Sequence, residues 1–125
     1  MSPTVVLLVI AAGGLGAVSR FVVDGAIRSR SGSSYPLGTL VINISGSLIL
    51  GLLTGLTIAH LLPDTGRLVV GTGFLGGYTT FSTASFETVR LVQEGRVPAA
   101  LLYGLGTLLA TTAVAGVGLV IGLWI

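Results

Sequence analysis

The residues of this sequence best suited to chemistry are uncharged, and they stand where the chain is otherwise most apolar. The run Gly76-Gly77-Tyr78-Thr79-Thr80-Phe81-Ser82-Thr83 gathers hydroxyls and two adjacent glycines inside a long hydrophobic segment. Adjacent glycines weaken a helix, and Thr and Ser hydroxyls compete for its backbone bonds, so the run predicts a break with freed carbonyl and N–H groups. Opened backbone at membrane depth survives only when buried in protein or lining a polar cavity, and carbonyls freed there are typical cation ligands. Spacing alone leaves two readings open: a mid-membrane ion site, or a kinked helix whose hydroxyls bond back to their own backbone.

Two further polar sets recur at helical spacing. Thr39, Asn43 and Ser47 follow one another every four residues, so each is only ~40° around the helix from the last and the three form one stripe. Tyr103, Thr107 and Thr111 repeat the device later in the chain. Asn43 is the costly member, because an unsatisfied amide in hydrocarbon loses several kcal/mol and needs a partner or a wet path. Two uncharged stripes of donors suit a pore for a small ion, while interhelical hydrogen bonding is the plainer role for Thr107 and Thr111.

Charge is scarce. The chain has six Arg and no Lys against four acids, and the surplus of two positive charges includes no basic run able to neutralise successive phosphates. Nucleic acid is therefore not an expected partner. Asp24, Asp64 and Glu94 fall between apolar runs, no two acids are spaced for general acid–base work, and so few ionisable groups argue against an enzyme. Arg20 and Glu87 are the charges set deepest in apolar sequence. Arg20 near a span end has room to snorkel, whereas Glu87 is expected in a water-filled vestibule one turn beyond the break. His60 reads as an interfacial residue. Without Cys there is neither a disulfide nor a thiolate metal site.

The elements that position these residues follow from hydropathy. Of 125 residues, 52% are hydrophobic and the mean hydropathy is +1.02, more apolar surface than a soluble core of this size hides. A span needs ~20 apolar residues to cross ~30 Å of hydrocarbon. Four segments meet that ruler, at residues 4–23, 37–62, 68–92 and 98–124, forming a single four-helix transmembrane domain in an all-α integral membrane protein. The first lacks a basic leader, so a cleaved signal peptide is not expected. Short connections predict antiparallel, closely packed neighbours. Gly51 and Gly55, Gly73 and Gly77, and Gly118 and Gly122 are spaced for close helix approach. Four spans enclose little on their own, which favours a homo-oligomer, with a dimer the simplest closed form.

Along essentially its whole length the sequence resembles the Fluc/CrcB fluoride channels. The resemblance is carried by Gly16 to Arg20, by Gly38-Thr39 through Asn43 to Gly46, and by the Gly-Gly-x-Thr-Thr-Phe-Ser-Thr run followed by Glu87. It implies an antiparallel, dual-topology homodimer of four-helix subunits in the plasma (inner) membrane, the third helix broken near the membrane centre. Two pores would pass fluoride passively out of the cytoplasm and relieve its toxicity. A structural sodium ion would sit at the dimer centre, held by backbone carbonyls matching Gly76 and Thr79. The family's pore asparagine matches Asn43, its last-helix track matches Tyr103, Thr107 and Thr111, and its first pore phenylalanine matches Phe81. Thr39, Ser47, Ser82 and Thr83 join them as pore positions, with Arg20 and Glu87 in vestibules. Fluoride is small and strongly hydrated, so close neutral donors replace its water without trapping it, and the positive edge of an aromatic ring also suits an anion. Spacing alone does not name fluoride.

Two features depart from that family pattern. Ala84 stands where a second pore phenylalanine is expected, and Phe86 lies ~200° around the helix from that position. Arg28, Arg30 and Arg96 fall in the first and third connections against Arg67 in the second, a bias that dual insertion must tolerate or that a paralogous subunit of opposite orientation balances. A proton-coupled multidrug exporter of similar size would need an acid embedded in its first span, and none precedes Asp24. A non-transporting assembly subunit would leave Asn43 and the Thr-rich run unexplained.

Overall fold

The computed structural model describes residues 1–125 as helices and short connections, without strands. Helix α1 (Pro3–Ser31) starts on a Ser2 cap whose side chain accepts from the Val5 N–H, with proline in the first turn, and ends where Gly32 takes φ 61°. It thus runs past residue 23, where the first span was expected to end, and carries Asp24 and Arg28 as helical residues one turn apart. Helix α2 (Leu37–Ile58) follows. Next comes a continuous helical stretch made of α3 (Asp64–Gly66), a π-helical segment (Arg67–Leu75) and α4 (Gly76–Tyr78). Thr79 and Thr80 are extended, with ψ 159° and 125°, before α5 (Phe81–Gln93) and α6 (Val97–Trp124).

Helices α1, α2 and α6 are long and apolar enough to cross a membrane. Only 19 of 125 residues are buried within the chain, while large apolar residues from Phe21 to Trp124 face outward. That surface is the wrong way out for water and right for lipid.

Glycine sets the helix seams. A Cβ on Gly51 or Gly55 of α2 would overlap the carbonyl oxygens of Ala115 or Leu119 on α6, and one on Gly118 or Gly122 would overlap those of Leu48 or Leu52 in return. The other tight seam joins α1 to the stretch before the extended residues. There a Cβ on Gly16 would strike the Phe74 carbonyl and one on Gly77 the Gly13 carbonyl. After Thr80 the chain changes neighbour: α5 packs on α6 through Leu91, Ala100 and Tyr103, all buried. Sequence periodicity does not foretell this change of partner across Thr79–Thr80.

Candidate functional site

Where the backbone is extended, its peptide groups must be paired from outside the helix. Asn43 does this. Its Nδ2 donates to the Thr80 carbonyl at 2.8 Å, and its Oδ1 accepts from the Thr80 N–H at 2.8 Å. The buried amide of α2 and the buried Thr80 peptide therefore satisfy one another, and one Nδ2 proton of Asn43 remains free for a further acceptor. Thr80 also caps α5, its hydroxyl accepting from the Thr83 N–H at 3.1 Å and donating to the Thr83 hydroxyl at 3.1 Å. Ser82 lies 3.3 Å from the same hydroxyl. Thr80 belonged to the run singled out in the sequence, yet only its partners reveal it as the junction.

Around this junction a groove of about 760 Å³ runs along the chain. Asn43, Ser47 and Thr54 line it from α2, Tyr103, Thr107 and Thr111 from α6, and Phe81, Ala84, Ser85 and Thr88 from α5. Gly76, Thr79 and Arg67 line it as well. Arg67 is its one charged residue, and no carboxylate faces it. Tyr103 is 1% exposed, and the hydroxyls of Tyr103 and Thr107 are buried without a hydrogen-bond partner. Both residues line the groove, yet their hydroxyl oxygens have almost no exposed surface and lie within its wall as unpaired polar groups. Thr111, by contrast, donates to the Thr107 carbonyl of its own helix at 2.7 Å, as does Thr88 to Ala84 at 2.8 Å. Phe81 is 87% exposed at the groove's edge, and Phe86, also exposed, is absent from its lining.

A second cavity of about 320 Å³ lies between α1, α2 and α5, lined by Arg20, Asp24, Thr39, Thr80 and Thr83. Thr80 borders both spaces, so the Asn43–Thr80 pair forms part of the wall between them. The six stripe residues and Phe81 thus gather around the groove with one exception: Thr39 belongs to the second cavity, with Arg20 and Thr83.

Glu87, expected in a wet vestibule, is 2% exposed in the single chain. It accepts a 2.6 Å hydrogen bond from the Thr39 hydroxyl and faces the Arg28 guanidinium at 3.6 Å. Burial follows from its place on the face of α5 that packs inward, one turn before the fully buried Leu91. Hydropathy places Arg28 in the connection after the first span, whereas α1 continues and brings it back over Glu87.

Helices of this length and polarity, flanking a donor-rich groove whose one charge is Arg67, define a multi-pass membrane protein. Residues 7–119 match the family described as CrcB-like protein, Camphor Resistance (CrcB), and the chain belongs to that family. It is 56% identical over 122 residues to fluoride-specific ion channel FluC 1 of Leifsonia xyli subsp. xyli, covering 98% of this chain and 89% of that protein. It is also 47% identical over 117 residues to FluC 2 of Cutibacterium acnes, covering 93% and 95% of the two chains. With FluC of Syntrophotalea carbinolica it shares 46% over 109 residues, covering 86% and 88%. The names of these relatives describe ion channels, not enzymes.

Proposed function

We propose that the protein is a fluoride-selective passive channel that lets fluoride leave the cytoplasm. The observation that carries this reading is the groove: residues with amide and hydroxyl groups line it together with one arginine, and no acid is among them. Such a lining opposes cations weakly and offers an anion close donors in place of water. The names of the relatives supply the identity of the anion.

In this reading the free Nδ2 proton of Asn43 and the edge of Phe81 succeed one another as contacts, with Ser47 and Thr111 alongside and the Tyr103 and Thr107 hydroxyls in the wall behind them. Ser82 is exposed and outside the groove's lining, and joins the path only through its 3.3 Å contact with the Thr80 hydroxyl. Thr39, Thr83 and Arg20 belong to the approach, and Arg20 collects anions there. Glu87 acts beside the approach from a buried position.

Residues 64–93 form the fourth crossing, interrupted at Thr79–Thr80, and two copies in opposite orientation bury each other's grooves, giving two pores. Support comes from the open polar groove with Phe81 exposed at its rim, because lipid leaves hydroxyls unpaired where a second copy would cover them. The Thr79 carbonyl accepts no hydrogen bond within the chain, which fits a neutral oxygen donor for a hard cation such as sodium. Thr79 and Gly76 would supply half of such a site and the second copy the rest; the ion would there tie the subunits together.

Purified protein in liposomes loaded with fluoride should release it passively, while liposomes loaded with chloride should retain their anion. Equal release of both anions, or of neither, would refute the channel reading. A C-terminal tag probed from each side should be reached from both; protection on one side throughout would exclude the antiparallel homodimer.

A further inference from the structure

The end of α1 makes an arrangement that lies outside the groove and meets the second cavity only at Asp24 and Thr39. Asp24 and Arg28 stand one turn apart, and Arg28 Nε donates to Asp24 Oδ2 at 2.8 Å. The same guanidinium reaches Glu87 Oε1 through its Nη2 at 3.6 Å. Glu87 Oε1 is already taken by the Thr39 hydroxyl, and its other oxygen, Oε2, is buried without a partner, as is Asp24 Oδ1. Asp24 fits there because residue 38 is glycine: a Cβ at Gly38 would overlap Asp24 Oδ1.

Arg20 lines the second cavity with Asp24 but makes no ion pair with it, so Arg28 is the one cation within ion-pairing distance of either acid. One guanidinium serves two carboxylates, and Arg90, which lines the neighbouring cavity with Arg28, turns instead toward Glu94 at 3.9 Å. A buried carboxylate that loses its only cation takes up a proton, repels an approaching anion or turns toward water, and each outcome alters the bond it accepts from Thr39. Thr39 borders the cavity that leads to the Asn43–Thr80 wall, so the carboxylate's charge and direction bear on that route.

We infer that Arg28 is a positioning residue for anion passage, shared between Asp24 and Glu87 so that the Glu87 carboxylate stays neutralised and fixed on Thr39 beside the approach. The inference rests on the channel reading above. Arg28 touches no groove position; it acts through Glu87. Its source is the continuation of α1 beyond the apolar span, which turns two residues between spans into a helical pair aimed back at α5.

A double-mutant cycle in fluoride-loaded liposomes tests it. Arg28→Gln should lower fluoride flux on the order of tenfold, within the range of coupling between residues in contact. Arg28→Lys should restore most of the flux. In a Glu87→Gln background Arg28→Gln should have no further effect, because the charge it answers is gone. Arg30→Gln, which removes a charge from the same helix end, should match wild type. Should Arg28→Gln fail to fold by itself, recovery of a monodisperse protein in the Glu87→Gln background would support the pairing, and failure in both backgrounds would overturn it. Wild-type flux with Arg28→Gln unchanged, or with independent effects in the double variant, overturns this inference alone. Absence of wild-type flux overturns the channel reading and this inference with it.

Discussion

Asn43 and Thr80, 37 residues apart, are joined by two 2.8 Å hydrogen bonds running in opposite directions. One side chain therefore replaces both helical partners that the Thr80 peptide lacks. The pair ties α2 to the start of α5 at the place where the third hydrophobic segment leaves α1 for α6, and it forms part of the wall between two cavities.

Asn43→Ala removes both bonds and leaves a buried N–H and a buried carbonyl. Each unsatisfied group costs about 1–3 kcal/mol, so a loss of at least about 2 kcal/mol is expected. Thermal unfolding in detergent should show a marked fall in Tm, together with loss of fluoride flux. Asn43→Asp should fare no better, since a carboxylate keeps the acceptor but lacks the Nδ2 donor. Wild-type stability in either variant would mean that the pair does not hold the junction.

Tyr103→Phe separates a structural from a functional hydroxyl by sign. The Tyr103 hydroxyl is buried and unpartnered, so its removal should leave stability unchanged or raise it by up to about 1 kcal/mol. If the hydroxyl serves a passing anion, flux should fall at the same time. A variant with lower stability and intact flux would assign the hydroxyl a packing role.

Ala84 lines the groove and lies against the Leu91–Ala100–Tyr103 cluster, whereas Phe86 lies outside that lining. Ala84→Phe should restore a second ring edge and raise fluoride flux about fivefold, the equivalent of about 1 kcal/mol of aromatic contact. Phe86→Ala should leave flux unchanged. Identical flux in wild type and Ala84→Phe would show that the missing ring carries no weight.

The α2–α6 seam offers a paired test. Gly118→Leu forces a side chain into the Leu48 carbonyl and should cost about 1–3 kcal/mol or more, read as loss of a monodisperse peak and a lower Tm. At Gly106 nothing lies within 4 Å of an added Cβ, and Gly106→Ala should be neutral or stabilising by up to about 1 kcal/mol. The reverse order of effects would mean that the seam is not built on glycine contact.

Several features were legible before any coordinates. The scarcity of charge and the apolar excess declare a membrane protein, and α1, α2 and α6 follow from the length of their hydrophobic runs. The spacing of Asn43 with Thr39 and Ser47 announces that a buried amide needs a partner. The run from Gly76 to Thr83 marks, with the rest of the pattern, the family to which the chain belongs.

The partners themselves were not legible. Hydropathy and helical periodicity are local quantities, and they stop at the surface of each helix. That Asn43 meets Thr80, that Thr39 meets Glu87 across 48 positions, and that Arg28 returns over Glu87 all depend on how far one helix slides along another. That register is set by backbone-to-backbone contact at glycines such as Gly16, Gly51 and Gly118, where a carbonyl occupies the space a side chain would need. The sequence by itself determined the medium, the long helices and the chemical character of the groove; tertiary packing decided which polar groups were left without partners, because only it fixes the distances over which hydrogen bonds and charges act.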